Sequence, residues 1–202
     1  MKIKSYPMGE YQTNCYIVSY NNKDIIIDPG VGATKWVCSN VTNPIAILNT
    51  HGHFDHVWSN SEIKDILKIP IYCPKDDTFM LEGDTFGLGV PPSKADYKVK
   101  PDEVIDLEGV KIKFRHFPGH TPGCSVIEIK DVWFSGDFLF EGSIGRWDFP
   151  YSSGKDMLKS LQKVSQITND YTLYPGHGKA TKLQRELRNI NYWISQVKMS
   201  IR

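Results

Sequence analysis

The sequence predicts a mixed α/β layered fold. Three observations carry that expectation. Short strand-like runs rich in Val, Ile and aromatics recur along the chain, helical patterns are interspersed among them and close it, and Gly, Pro or Asp stops most of the strand runs. The runs are TNCYIVSY (13–20), DIIIDP (24–29), PIAILNT (44–50), VKIKFRHF (110–117), CSVIEIK (124–130), VWFSGD (132–137) and YTLYPG (171–176). Ser59-Asn60-Ser61-Glu62 has the spacing of a capping box and predicts a helix through Ile63, Ile66 and Leu67. Met157, Leu161, Val164 and Ile167 share one helical face. So do Leu183, Leu187, Ile190, Ile194 and Val197, with Arg185, Glu186 and Arg188 turned outward. Between Pro74 and Pro101 the chain is irregular and reads as a loop lying over something.

Composition bounds the function. With 202 residues, 40% of them hydrophobic, the chain can bury a real core. Its 24 basic and 23 acidic residues are interspersed and leave a net charge of +1, so it has no basic face for nucleic acid. No apolar run approaches the roughly 20 residues of a membrane span, and the opening MKIKSYPMGEYQTNCY lacks the apolar centre of a signal peptide. Cys15, Cys38, Cys73 and Cys124 are scattered, with no CxxC pair, and read as reduced thiols. A cytoplasmic protein is expected, binding neither membrane nor nucleic acid.

The histidines are unevenly distributed. Of six, three fall with an aspartate inside HGHFDHV, residues 51–57. PIAILNT runs straight into His51-Gly52-His53-Phe54-Asp55-His56, VKIKFRHFPG leads to His120, VWFSG to Asp137 and YTLYPG to His177. If these strands are neighbours, their ends deliver five histidines and two aspartates to one edge. Imidazole and carboxylate together are the ligand set of zinc, and also of iron or manganese. Side chains at 51 and 53 project to one side of an extended segment and can grip one ion, while Asp55 and His56, after the turn, can face a second. Seven ligands exceed one tetrahedral site and suit two adjacent metals that share a carboxylate.

THGHFDH, PGHTPG, FSGD and YPGHG, in this order, resemble the metallo-β-lactamase superfamily along essentially the whole chain. The resemblance implies a single domain over 1–202 with an αββα sandwich and the metal site at the edge of its two sheets. Position by position it implies that His51, His53 and His120 hold the first metal, that Asp55, His56 and His177 hold the second, and that Asp137 bridges them. FLFEGSIGRWDFP (138–150) is similar to the corresponding loop of the glyoxalase II (hydroxyacylglutathione hydrolase) branch and of the persulfide dioxygenases. The length resembles single-domain glyoxalase II-like proteins that lack the C-terminal helical domain.

The expected function is metal-dependent hydrolysis of glutathione-type or other small acyl thioesters. Two divalent ions, zinc first and iron or manganese as alternatives, lower the pKa of a bridging water and polarise the carbonyl. No side-chain nucleophile is then needed, in keeping with the absence of a G-x-S-x-G motif. Asp55 is the candidate for assisting proton movement. Arg146 is either a clamp for a substrate carboxylate or the partner of Asp148. His116 reads as a strand residue with a local hydrogen bond, and Thr50 and Thr121 as orienters of ligands or strand ends. Asp28 reads as a structural turn, and Trp147 as a candidate for the cleft wall. The alternatives are a mononuclear iron persulfide dioxygenase, using His51, His120 and Asp137, lactone or β-lactam hydrolysis, and a non-catalytic metal-binding or redox module. Against the dioxygenase, Ser143-Ile144 replaces that branch's Gly-Cys.

Overall fold

The computed structural model describes residues 1–201. Lys2–Met8 (β1), Thr13–Tyr20 (β2), Lys23–Ile27 (β3), Pro44–Leu48 (β4), Ile71–Pro74 (β5) and Tyr97–Val99 (β6) form one sheet in sequence order. Its first three strands are antiparallel, and β3 to β6 are parallel. The second sheet contains Val104–Leu107 (β7), Val110–His116 (β8), Ser125–Ile129 (β9) and Val132–Gly136 (β10). A hairpin of Leu139–Phe140 (β11) and Ser143–Ile144 (β12) precedes its last two strands, Thr172–Pro175 (β13) and Thr181–Lys182 (β14). The order is β14-β13-β10-β9-β8-β7, with β10 and β13 parallel. The helices are Thr34–Asn40 (α1), Phe54–Val57 (α2), Asn60–Leu67 (α3), Thr78–Glu82 (α4), Gly154–Val164 (α5), Leu183–Leu187 (α6) and Ile190–Ser200 (α7).

The two-residue period of the strands explains the layering. In β3 and β4, Ile25, Ile27, Ala46 and Leu48 face the second sheet, where they meet Ile112, Phe114, Ile127 and Phe134. The alternate residues Ile26 and Ile47 face outward onto Val37 of α1 and Ile63 of α3. On the other side, Val126 and Trp133 turn away from the sandwich to pack on Met157 and Leu161 of α5 and Val197 of α7. Strands carrying apolar residues on both faces thus build the layered α/β fold the sequence predicts, in the αββα form the resemblance implies. Among the described residues, no helix is long and apolar enough to cross a membrane.

Four local expectations are corrected. Ser59 does precede α3, but no capping box forms. Its hydroxyl donates to the Gly30 carbonyl (2.7 Å) and accepts from the Ala33 amide (3.2 Å), while Glu62 accepts from the Thr34 hydroxyl. Tertiary partners have displaced the local pair. The periodic run from Leu183 to Val197 is two helices rather than one. Glu186, expected on the outward face, is buried and accepts from the Gly142 amide (2.7 Å) and the Thr181 hydroxyl (2.5 Å). The irregular stretch also holds more structure than expected: a 3₁₀ turn at Lys75–Asp77, α4, and the edge strand β6.

Candidate metal centre

Four strands end at one edge of the sandwich. β4 continues through Asn49 and Thr50 into His51, Gly52 and His53, and α2 then carries Asp55 and His56. The β8–β9 connection bears His120, Asp137 follows β10, and His177 follows β13. Strand β2, from the same sheet as β4, closes the edge. Asn14 donates its side-chain amide to the carbonyls of Pro175 (3.0 Å) and Gly178 (2.9 Å), pinning the His177 loop.

All seven sequence-predicted ligands converge. His51, His53 and His120 place one ring nitrogen each within 4.8 Å of one another, and so do the ligand atoms of Asp55, His56 and His177. Asp137 stands between the triads. Its Oδ2 is 3.4 Å from Nε2 of both His120 and His177, and its Oδ1 is 3.3 Å from Nε2 of His56. This arrangement requires glycines nearby. A Cβ on Gly176 would lie 2.2 Å from Oδ1 of Asp137, and one on Gly145 only 1.7 Å from the Asp137 carbonyl oxygen. His116 is held elsewhere, its Nε2 2.9 Å from the Pro122 carbonyl oxygen.

The outward nitrogens of four of the five rings are committed to protein. Nδ1 of His120 lies 2.8 Å from the Arg146 carbonyl oxygen, and Nδ1 of His177 lies 2.9 Å from that of Tyr11. Thr50 donates its hydroxyl to Oδ2 of Asp28 (2.6 Å), so Oγ1 is free to accept from Nδ1 of His51 (3.0 Å). The same Asp28 oxygen lies 2.9 Å from Nδ1 of His56. A ring that donates outward from Nδ1 keeps an Nε2 lone pair inward, the tautomer a metal ligand needs.

The inward atoms are otherwise unmatched. Nε2 of His51, His56 and His120 and Oδ1 of Asp137 are buried with no hydrogen-bond partner. Each such atom costs about 1–3 kcal/mol, and four at one point is a donor set that fits a divalent cation. Charge agrees. Burial opposes ionisation of Asp137, but the His56 charge outweighs it and holds the carboxyl well below its usual range. Asp55 is likewise held down, to about 2, by His56 against burial. Burial pushes His53 down to about 3, with neighbouring His120 adding to it. Burial resists the charge on His177, but Asp137 and Asp55 raise it to about 9.

Two carboxylates in the centre's support are not apparent as such from sequence. Asp28 is read there as a turn, yet it orients Thr50 and His56. Its signal is the one used for the ligands, a strand ending in a punctuated Asp-Pro-Gly. Asp77 is buried in the irregular stretch and accepts from the Gly52 amide (3.0 Å), the Thr121 hydroxyl (2.6 Å) and the Gly123 amide (2.6 Å). It ties the His51–His53 loop to the His120 loop. Trp147, a candidate for the cleft wall, instead packs into the helical layer and donates to Ser200 Oγ (2.8 Å). Arg146 does line the cleft, with Nε and Nη2 donating to Asp148 (2.9 and 2.8 Å).

A two-sheet sandwich whose edge gathers a three-histidine triad and an Asp–His–His triad around one aspartate defines a metal-binding αββα protein. The chain belongs to the metallo-β-lactamase superfamily, whose family model matches residues 8–177. It is similar to the hydroxyacylglutathione hydrolase GloC of Haemophilus influenzae, at 32% identity over 94% of this chain and 96% of that one. The structure resembles that of the BLEG-1 B3 metallo-beta-lactamase with a TM-score of 0.85 and 29% identity, covering 95% of this chain and 99% of the other. It also resembles TTHA1623, solved in a di-iron-bound form, with a TM-score of 0.81 and 30% identity over 92% and 97% of the two chains.

Proposed function

We propose that the protein is a single-domain, cytoplasmic, dinuclear metallo-hydrolase of small acyl thioesters, related to the hydroxyacylglutathione hydrolases. The observation that carries the reading is the placement of Asp137 between two complete triads at the floor of an open cleft. None of the described residues lining that cleft is Ser, Thr or Cys. The proposed nucleophile is water activated at the centre. The similarity to GloC supports the thioester, and the superfamily supports the metals.

His51, His53 and His120 are proposed to hold one ion, Asp55, His56 and His177 the other, and Asp137 both. Bound ions supply Lewis acidity and an acidified water at neutral pH; zinc is the first candidate, and the di-iron neighbour supports iron as the alternative. The chain's own residues orient and move protons. Asp55, fixed by the Thr13 hydroxyl at 2.6 Å, receives a proton from the attacking water. Oxygen joins the acyl carbon, the C–S bond breaks, and the thiolate leaves to take up a proton. Arg146 is the candidate contact for a substrate carboxylate, and to make it the guanidinium must give up Asp148. A mononuclear iron site would leave the Asp55, His56 and His177 triad without a use.

The test is hydrolysis of lactoylglutathione and of uncharged acyl thioesters by metal-reconstituted protein, followed as thiol release. Turnover that disappears on chelation and returns with metal is the expected result. A fully loaded dinuclear protein that cleaves no thioester overturns the reading.

A further inference from the structure

The cleft before the seven residues has a volume of about 750 Å³, and most of its wall is apolar: Tyr11, Phe54, Phe86, Leu88, Phe140 and Phe149. Two of these rings stand beside the candidate ligands. The Phe86 centroid is 5.5 Å from that of His53, and the Phe149 centroid is 6.0 Å from those of both His53 and His120. Leu88 and Phe149 remain 48% and 38% exposed, apolar surface of the kind that marks a ligand groove.

Charge recognition is weak by comparison. Arg146 is the one lysine or arginine among the described residues that line the cleft. Both of its donating contacts go to Asp148, and its guanidinium carbon sits 4.3 Å over the Phe149 ring. A carboxylate on a thiol carrier would have to displace Asp148 from a planar two-bond pair.

Resting on the thioester reading, we infer that the preferred substrate carries an apolar acyl group of aromatic size. That group sits between Phe86 and Phe149, and the cleft selects by it rather than by a carboxylate on the thiol. The acyl carbon must reach the floor formed by His53 and His120, and Phe86 and Phe149 are the rings that stand beside those two imidazoles.

The experiment compares acetyl, hexanoyl and phenylacetyl thioesters of N-acetylcysteamine, a small uncharged thiol, with lactoylglutathione on zinc-loaded protein. From acetyl to phenylacetyl, kcat/KM is expected to rise about 30-fold, the scale of removing a phenyl ring from water. Phe86→Ala and Phe149→Ala should each lower that ratio at least about fivefold. Apart from turnover, calorimetry should find that phenylacetate binds about tenfold more tightly than acetate. A flat acyl series, lactoylglutathione as the best substrate, equal binding of the two acids, or a ratio untouched in both variants overturns the inference while leaving thioester hydrolysis intact. Cleavage of none of the four thioesters overturns the thioester reading and this inference with it.

Discussion

Asp137 lies 3.3–3.4 Å from the inward Nε2 atoms of imidazoles in both triads. Asp137→Ala should therefore release both ions and lower activity by at least about a hundredfold. His116→Gln, at the sixth histidine, should keep its metal near the wild-type level, because that ring only contacts the Pro122 carbonyl. Metal analysis of the two purified variants checks both expectations; equal loss would place one of these residues wrongly. The ligand candidates are legible because they sit at or just beyond strand ends, in turns punctuated by Gly or Pro, with Asp55 and His56 following on α2. Asp28 shares that signature, but an Asp-Pro-Gly turn has a structural explanation of its own, which masks the role.

At the scale of elements, the two ligand loops are joined by a residue with no motif. Asp77 bonds Gly52 on one side and Thr121 and Gly123 on the other, in a buried position. Asp77→Ala strands two buried amide donors and a hydroxyl, so it should cost about 2–4 kcal/mol in chemical denaturation and weaken metal retention. A loss below 1 kcal/mol, about the size of a surface substitution, would contradict the clamp. Seven strands were legible because their runs are dense in β-branched and aromatic residues on both faces. β1, with Lys2, Lys4 and Pro7, and β6, with Lys98, are edge strands whose exposed faces carry polar residues, so their periodicity was hidden. The capping box failed for the opposite reason: a good local signal was overruled when Ser59 found Gly30 and Ala33.

For the whole molecule, the sandwich and its edge site were foreseeable because the same residues specify both, with strand interiors making the layers and strand ends the centre. The cleft wall was not, since Phe86 and Leu88 come from an irregular stretch without periodicity, beyond the end of α4. The buried unmatched atoms also couple the centre to stability. Chelation should lower Tm by about 10 °C, the equivalent of losing ligands held well above their Kd. The most direct measurement is the metal content of protein equilibrated with excess zinc and freed of unbound ion. The account predicts two equivalents per chain, falling to none in Asp137→Ala. A firm ceiling of one equivalent, with Asp55, His56 and His177 unligated, would contradict it.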